Sequence, residues 1–461
     1  MPSSKKIIVI GAGISGLTTA YLLFKEGYDV IVLEQKDNVG GSIETVSSEG
    51  FIFDRGPNSG LETTHLIQQL VKELKLEDQF VYANREGNKR YILRNGQLHA
   101  LPMSPPAFFR TELFSGKAKL RLLAEPFIGR SRDGYYQSIA EFVNRRLGKE
   151  FLDYAINPFV AGVYAGKPEE LSVKSAFPKL YALEEDYGGL IIGTLRSIRK
   201  RKRSKEVSKQ SAKMFSFKDG MAVFPEAIKR NLGNRVYTSV EVISVRKTSE
   251  GNYGVTYREG EQTLTLLSDI VLSTVPAYKA VELFKNFDET LVKHLNDIYY
   301  PPVLVLYLIY EKKYVGQPLD GFGFLIPEKE EKSFLGAIWS SVIFPNRSDK
   351  TRAAFTLFIG GSRDAGFVDD VEQNVIDRTK REFEVIMKIS AEPVFIAKRS
   401  WPKAIPQYNI GYVEHENFFD HFEKNNKGII LSGNYRGGIS VGDCIKNAEI
   451  VAQKIKNLIL T

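Results

Sequence analysis

The sequence contains a single cysteine, Cys444, among 461 residues. One cysteine forms no intramolecular disulfide and no multi-cysteine metal site, which excludes disulfide-stabilised secreted folds and fits a reducing compartment. Histidine is also scarce, and the spacing of the five histidines predicts neither a metal site nor a nucleophilic pair. We interpret all five as surface or structural residues: His65, His99, His294, His415 and His421.

Long hydrophobic runs are absent too. The longest apolar stretches fall well short of the roughly 20 residues that a membrane-spanning helix needs. The first apolar run leads into a glycine-rich turn and not into a small-residue cleavage site, so we expect no secretion signal. We therefore expect a cytoplasmic protein, with any membrane attachment peripheral, on the inner membrane face or its organellar equivalent.

The charge of the chain is moderately basic, with 63 Lys and Arg against 55 Asp and Glu and a formal net charge of +8. This balance suits an anionic substrate, an anionic membrane or a nucleic acid equally well. The strongest basic run, Arg196 to Lys213, lacks interleaved aromatic residues and any known reading module. It therefore predicts no nucleic-acid partner, and leaves a solvated loop or a contact with anionic lipid as its roles.

The first motif lies within residues 5–23, KKIIVIGAGISGLTTAYLL. A strand over Ile7 to Ile10, a glycine turn and a helix through Leu23 follow in the order that a dinucleotide-binding fold requires. Gly11 permits the tight turn, Gly13 lets the backbone approach a pyrophosphate, and Gly16 lets the helix pack on the strand. The helix N-terminus adds its positive dipole end.

A second strand, YDVIVLE, ends in Glu34, where a carboxylate accepts hydrogen bonds from ribose hydroxyls. Further glycine turns follow at Gly40-Gly41 and Gly56-Pro57. This combination resembles the extended FAD signature of the amine oxidase and desaturase superfamily. Many of its members carry Arg or Lys where this chain has Ser42, so we expect backbone amides to serve the phosphates here.

Later segments repeat the pattern of strand, glycine turn and helix, from Met214 onward and from Gly428 onward. The helix that begins near Ser440 is expected to direct its N-terminal amides at the flavin. These patterns predict an α/β fold with a discontinuous Rossmann-type FAD-binding domain (1–85, 213–284 and 416–461). The remainder is assigned to a strand-rich substrate domain (86–99 and 285–415) and a helical, membrane-facing insertion (100–212).

The middle of the chain carries more specific motifs, including NKRYILRNG, NPFVAGVYAG, LSVKSAFPKLY, GFGFLIP and GNYRGGISVGDCI. Together they resemble the oxygen-dependent protoporphyrinogen oxidases, in the style of the plant-mitochondrial type. The resemblance implies oxidation of protoporphyrinogen IX to protoporphyrin IX with FAD as cofactor and oxygen as acceptor. Open alternatives are coproporphyrinogen III oxidation, another amine oxidase or desaturase activity, and a non-catalytic dinucleotide-binding sensor.

The same resemblance implies which residues bind the substrate. Arg90 matches the arginine that binds a substrate propionate, which suits a guanidinium because it is always charged and binds carboxylates bidentately. Gly162, Leu325, Ile338 and Phe358 match pocket-lining positions. Flavin chemistry demands orientation and a dry cavity, so we assign no catalytic side chain and no metal.

The predicted cofactor-binding set combines the glycine turns with positions carried over from the family. It comprises Gly11, Ala12, Gly13, Ile14, Ser15, Gly16, Glu34, Gln35, Gly41, Ser42, Gly56, Pro57, Asn58, Val242, Trp401, Gly433, Asn434, Ile439, Ser440 and Val441. The predicted partners are a tetrapyrrole porphyrinogen, oxygen and a membrane surface. A homodimer is left open.

Overall fold

The computed structural model describes residues 5–87, 89–131, 135–201 and 212–460. Most of the basic run of the sequence, residues 202–211, lies outside these ranges, so its two predicted roles are not addressed by the structure. Within the described residues, no helix is both long and apolar enough to cross a membrane.

The strands of the described chain form five sheets. Their bounds are β1 (Lys6–Ile10), β2 (Asp29–Leu33), β3 (Thr45–Ser48), β4 (Phe51–Asp54), β5 (Gly60–Leu61), β6 (Phe80–Tyr82), β7 (Lys89–Arg94), β8 (Gln97–Ala100), β9 (Met214–Phe217), β10 (Val236–Tyr237), β11 (Val240–Lys247), β12 (Tyr253–Glu259), β13 (Gln262–Ser268), β14 (Ile270–Ser273), β15 (Val303–Glu311), β16 (Gly321–Leu325), β17 (Gly336–Ile338), β18 (Arg352–Gly360), β19 (Phe395–Trp401) and β20 (Ile429–Leu431).

The α-helices are concentrated between β8 and β9 and around the first sheet. Their bounds are α1 (Ile14–Lys25), α2 (Leu66–Glu73), α3 (Pro105–Arg110), α4 (Gly116–Leu123), α5 (Ile139–Arg146), α6 (Lys149–Phe151), α7 (Asn157–Tyr164), α8 (Val173–Ala176), α9 (Pro178–Tyr187), α10 (Leu190–Arg201), α11 (Val223–Leu232), α12 (Ala277–Phe284), α13 (Glu289–Asn296), α14 (Ser340–Ile343), α15 (Glu372–Met387), α16 (Tyr412–Asn425) and α17 (Val441–Leu460).

A parallel five-stranded sheet has the order β10-β2-β1-β14-β20. Its central strands β1 and β14 are buried, as the apolar runs of both segments predict. Helices α1, α11 and α17 pack with it in one hydrophobic core. The predicted α/β class with a Rossmann-type sheet is confirmed, whereas the exact domain limits stay a prediction.

A second, mixed sheet of seven strands has the order β19-β15-β18-β17-β16-β7-β8. Because side chains alternate along a strand, its two faces differ. One face carries Leu93, Leu306, Phe324 and Leu357 into a core with α15. The opposite face turns toward α7 and toward the β3–β4 hairpin, and this is the face that bears the predicted substrate-binding residues.

The helical segment between β8 and β9 is held together by a buried ionic network. Arg146, fully inaccessible to solvent, donates to Glu125 at 3.0 Å and to Glu184 at 3.2 Å. The carboxylate of Glu125 in turn accepts the first backbone amides of α10, from Leu190 and Ile191. This network fixes α5, α9 and α10 against one another.

Candidate cofactor and substrate site

The first glycine turn joins β1 to α1 at the carboxyl end of the sheet. Gly11 has a φ of +102°, which favours glycine, and a Cβ on Gly16 would lie 2.1 Å from the carbonyl oxygen of Gly11. A Cβ on Gly13 would instead have no atom of the described part of the chain within 4 Å. The turn therefore offers an accessible backbone surface at Gly13, next to the N-terminus of α1.

Glu34 lies directly after β2, as predicted, and is 9% exposed. Its Oε2 accepts a hydrogen bond from the amide of Ala12 at 2.7 Å, and its Oε1 accepts from the amide of Lys36 at 2.9 Å. The carboxylate thus bridges the glycine turn and the segment after β2. Its placement at the turn is what the spacing of the motif indicates.

The second glycine turn lies against the first. The amide of Gly40 donates to the carbonyl of Ala12 at 2.8 Å, and a Cβ on Gly41 would lie 3.2 Å from the Cα of Gly13. A Cβ on Gly56 would come 1.8 Å from the carbonyl oxygen of Ser42, so only glycine fits there. These contacts bring the three predicted glycine segments into one cradle of backbone atoms.

Ser42 itself is exposed. A cation nevertheless reaches the second glycine turn from elsewhere, because Lys36 Nζ donates to the carbonyl of Gly41 at 3.2 Å. The sequence prediction considered only position 42, and the closeness of Lys36 to the turn follows from the way the chain bends after Glu34.

Asp54, the last residue of β4, links the segment before Gly56 to the segment between α14 and β18. Its Oδ1 accepts from Thr45 Oγ1 at 2.5 Å and from the amide of Met221 at 2.8 Å, and its Oδ2 accepts from Arg347 Nη2 at 3.0 Å. Burial raises the pKa of Asp54 above its ordinary value, while the Arg347 guanidinium acts in the opposite direction. Sequence reasoning missed Arg347, since 293 residues separate the partners.

The C-terminal turn approaches the same region. Gly433 has a φ of +123°, and the carbonyl of Asn434 accepts a hydrogen bond from Tyr408 at 2.7 Å. Ser440 Oγ accepts the amide of Asp443 at 3.1 Å, so the predicted helix α17 begins at Val441 with a serine cap. Ile439 is half-buried against the core behind the turn.

The remaining predicted cofactor residues lie in two places. Trp401 Nε1 donates to the carbonyl of Arg55 at 2.8 Å, directly before Gly56-Pro57, and Asn58 lines a small cavity with Tyr307 and Thr356. Gln35 donates to Glu241 at 3.2 Å, and Val242, next to it, is half-buried at an irregularity of β11.

The predicted substrate residues lie on one face of the seven-stranded sheet. Strand pairing sets Arg90 opposite Gly323, Gly323 opposite Ile338, and both Leu325 and Phe358 opposite Gly336. Since side chains alternate along each strand, this register directs all four side chains to the same side. Gly162 on α7 faces them, because a Cβ there would lie 2.4 Å from Leu325 Cδ2.

The cationic side chains near Arg90 on β7 form ion pairs with acidic residues. Lys89 pairs with Asp320 at 2.5 Å, and Arg94 pairs with Glu150 at 2.7 Å. Arg90 is exposed and forms no ion pair with any residue that the structure describes. Within the described ranges, no group of three or more His, Cys, Asp or Glu side chains could hold a metal ion.

Comparison with known protein families fits this geometry. The model of the flavin-containing amine oxidoreductases matches residues 14–456, from the start of α1 through the second glycine turn and the second sheet to the C-terminal turn. The chain belongs to the flavin-containing amine oxidoreductases. This oxidoreductase has FAD as its cofactor, as the glycine turns predict.

Similar proteins match the oxidoreductase over nearly its whole length. A chloroplastic protoporphyrinogen oxidase of Nicotiana tabacum is 31% identical and covers 97% of this chain and 85% of its own. Protoporphyrinogen oxidase 2 of Arabidopsis thaliana is 32% identical and covers 99% of this chain and 95% of its own. Coproporphyrinogen III oxidase of Bacillus subtilis is 27% identical, covering 96% of each chain.

Solved structures show the same fold for the oxidoreductase. A protein from Exiguobacterium sp. 255-15 superposes with a TM-score of 0.80 over 98% of this chain and 99% of its own, at 21% identity. Reduced UDP-galactopyranose mutase superposes with a TM-score of 0.75 over 98% and 94%, at 16% identity. At these identities the likeness concerns the fold alone.

The residues present fit FAD. The backbone cradle is open where a pyrophosphate has to approach Gly13, and the N-terminus of α1 points its positive dipole end there. Glu34 stands at the end of β2, where the ribose of a dinucleotide binds in such folds. Among the described residues the buried hydroxyl of Thr63 has no hydrogen-bond partner, and it lies beside Gly442 at the start of α17.

Proposed function

We propose that the protein oxidises protoporphyrinogen IX to protoporphyrin IX, with oxygen as the final electron acceptor in porphyrin synthesis. FAD, when bound, supplies the hydride acceptor and passes the electrons to oxygen. The chain's own residues orient the macrocycle and keep water away from it. The relatives named protoporphyrinogen oxidase, at 31% and 32% identity over nearly the whole chain, support this assignment.

The observation that carries the substrate choice is that Arg90 forms no ion pair with any described residue and lies on the same side of the sheet as three apolar pocket residues. Leu325, Ile338 and Phe358 offer no partner for a carboxylate, and Lys89 and Arg94 are already paired. Burying an unpaired carboxylate costs several kcal/mol, so four propionates would need several cations. A substrate with two propionates and two vinyl groups suits one cation and apolar edges better.

In this arrangement Arg90 binds a propionate and fixes the rotation of the macrocycle about its own axis. The guanidinium keeps its charge at every working pH and holds a carboxylate by two parallel hydrogen bonds. Gly162 and Leu325 close the pocket from α7 and the sheet. Oxidation to the porphyrin removes hydrogens from the meso carbons and from only some of the pyrrole nitrogens, and we assign no protein base to take up the released protons.

The test compares initial rates with protoporphyrinogen IX and coproporphyrinogen III, followed by porphyrin fluorescence and peroxide formation. We expect a higher kcat/KM for protoporphyrinogen and, for Arg90→Ala, a loss of about ten- to a hundredfold. Lys332→Ala, which removes an exposed lysine from the loop between β16 and β17, is the matched control. It should leave the rates nearly unchanged.

Three results would contradict the proposal or a part of it. Faster turnover of coproporphyrinogen would favour the activity named for the Bacillus subtilis relative. FAD-loaded protein that turns over neither substrate would favour a non-catalytic, dinucleotide-binding sensor. An Arg90→Ala enzyme with unchanged kinetics would remove Arg90 from the binding site.

We further propose that the protein attaches peripherally to an anionic membrane, on the cytoplasmic face or its organellar equivalent. The support is an exposed apolar surface on the helical segment between β8 and β9, formed by Met103 (78% exposed), Phe109, Leu120, Leu123 and Phe127 (89% exposed). Lys117 and Arg110 lie beside it and are exposed. Apolar side chains within a basic rim are typical of interfacial attachment.

Sedimentation with vesicles tests this attachment. Vesicles that contain anionic lipid should carry down the protein, salt should weaken the binding, and Leu120→Ser with Phe127→Ser should abolish most of it. Ile450→Ser, which alters an exposed apolar residue on α17, is the control. Equal sedimentation of the Leu120→Ser/Phe127→Ser protein and the wild type would contradict this proposal.

A further inference from the structure

Arg90 lies beside an irregularity in the seven-stranded sheet. Lys89 pairs with Gly321 and Arg90 pairs with Gly323, so Phe322 is an extra residue on β16 opposite two consecutive residues of β7. Such a bulge interrupts the regular ladder and redirects the side chains around it. The irregularity falls at the residue pair that includes the predicted propionate-binding arginine.

The backbone of this bulge has no room for side chains on either side of Phe322. A Cβ on Gly321 would lie 2.7 Å from the carbonyl oxygen of Lys89. Gly323 has a φ of +139°, and a Cβ there would lie 2.0 Å from the carbonyl oxygen of Ala337. Phe322 is therefore the one side chain that residues 321–323 present.

The aromatic ring of Phe322 lies within cation–π distance of Arg90, with 5.7 Å between the guanidinium Cζ and the ring centroid. An acidic partner would cancel the charge of Arg90 and compete with a substrate carboxylate. An aromatic face attracts the guanidinium but leaves its N–H groups, which lie in the plane of the group, available for hydrogen bonds.

The neighbours of Arg90 are held on the opposite face of β7. Asp320 accepts from Lys89 Nζ at 2.5 Å and from the Tyr91 hydroxyl at 2.6 Å. Since side chains alternate along the strand, this double contact anchors the strand from behind and leaves Arg90 on the substrate side. The amide of Trp339 donates to the carbonyl of Phe322 at 2.9 Å and fixes the bulge.

We propose that Phe322 is a positioning residue, whose ring holds the Arg90 guanidinium in the orientation that binds a substrate carboxylate. The proposal rests on the proposed function, because it assumes that Arg90 binds a propionate. Its consequence is selective: loss of the ring weakens binding of ligands with free carboxylates and leaves ligands with esterified carboxylates unaffected.

The test titrates FAD-loaded protein with protoporphyrin IX and with its dimethyl ester, followed by quenching of flavin fluorescence in the same detergent. Wild type should prefer the free acid. Phe322→Leu should lower that preference by about two- to fivefold, which matches the usual strength of a cation–π contact, without changing the affinity for the ester. Phe322→Tyr keeps an aromatic face and should retain the wild-type preference.

Phe322→Met, a second replacement without a ring, is measured in parallel, and FAD content and thermal midpoint confirm that each variant is folded. Tyr314→Leu removes another aromatic residue next to a cation, Lys313, and should change nothing. An unchanged acid preference in both ringless variants would overturn the proposal, as would an equal loss of affinity for acid and ester. If the proposed function itself is wrong, wild type already shows no preference or binds neither ligand.

Discussion

Gly162 on α7 and Leu325 on β16 touch across the predicted pocket, so closely that a Cβ on Gly162 would lie 2.4 Å from Leu325 Cδ2. The next nearest atoms to that Cβ belong to the same leucine side chain. A methyl group at position 162 therefore displaces Leu325 and leaves the backbone of the sheet in place. Helix α7 and strand β16 thus form two opposite walls of the predicted pocket, and one added methyl group changes the space between them.

We expect Gly162→Ala to lower kcat/KM for protoporphyrinogen, because the new methyl group forces Leu325 into the pocket. Inserting a methyl group into a packed site costs about 1–3 kcal/mol, and the loss of transition-state binding should not exceed this range. FAD content should not change, because the cradle lies elsewhere. Adding Leu325→Ala should recover part of the lost activity, since the shortened side chain makes room for the new methyl group. Steady-state kinetics of both variants measure the effect.

Gly129→Ala is the matched control, because a Cβ at Gly129 would meet no atom of the described residues within 4 Å. If Gly162→Ala and Gly129→Ala behave alike, α7 does not form a wall of the pocket. If Leu325→Ala lowers the kcat/KM of the Gly162→Ala enzyme further, the loss in Gly162→Ala does not come from a steric clash with Leu325.

Glu34 gives a second prediction, for cofactor affinity. Glu34→Ala removes the acceptor of the Ala12 and Lys36 amides, at 2.7 and 2.9 Å, together with the predicted ribose contact. Loss of a hydrogen bond to a charged group costs about 1.5–3 kcal/mol, so FAD should bind about ten- to a hundredfold more weakly. Equilibrium dialysis of the apoprotein against FAD measures this change.

The control for Glu34→Ala is Glu49→Ala, which removes an exposed carboxylate from the turn between β3 and β4. That variant should bind FAD as the wild type does. Equal FAD affinity of the Glu34→Ala protein and the wild type would show that the carboxylate supports only the turn.

The glycine turns and Glu34 were predictable because their requirements are local. A tight turn after a buried strand needs glycine at Gly11, and an acid at the end of the next strand follows at a set spacing. The sheet of β1 and β2 follows from apolar runs that the sequence shows directly. Local conformation and local spacing thus decide this part of the fold.

The substrate face was not predictable in the same way. Arg90, Ile338 and Phe358 belong to three strands, and only the pairing of those strands puts their side chains on one side. A one-residue change of register would reverse the face of a whole strand, and no local signal fixes register. Family resemblance selected these residues, whereas the bulge at Phe322 could be found only in the structure.

Asp54 and Arg347 form a buried pair whose loss should destabilise the protein. The two side chains are 1% and 2% exposed, and the Oδ2–Nη2 distance is 3.0 Å. Removing one partner leaves an unpaired buried charge, so Arg347→Met should lower the free energy of unfolding by about 3–5 kcal/mol. Urea denaturation of the FAD-loaded protein measures this difference.

The double variant Asp54→Asn/Arg347→Met distinguishes an ion pair from two independent contacts. It removes both charges, so its destabilisation should be clearly smaller than the sum of the two single variants. Additive effects would mean that the hydrogen bonds to Thr45, Met221 and Ser216 hold these side chains independently of the ion pair.

The contact between His294 on α13 and His415 on α16 should make the protein less stable in mild acid. Their Nδ1 atoms lie 2.9 Å apart, which requires one ring to donate and the other to accept. This hydrogen bond is lost when both rings are protonated, because both Nδ1 atoms are then donors. Burial lowers the pKa of His294, and Lys293 acts in the same direction, against Asp297 and Glu414. Burial and the neighbouring His294 lower the pKa of His415, against the same two acids.

The sign of the effect follows from the lowered pKa values. The folded protein binds these protons less readily than the unfolded chain, whose histidines have a pKa of about 6.5. The stabilisation is therefore fully present above about pH 6.5 and is lost as the pH falls toward the lowered pKa values of the folded state. We expect the thermal midpoint of the wild type to fall over this range, and that of His415→Gln to fall less steeply.

The control is His421→Gln, which changes an exposed histidine on the same helix and should follow the wild type. Parallel pH profiles for His415→Gln and wild type would show that the pair does not couple folding to proton binding.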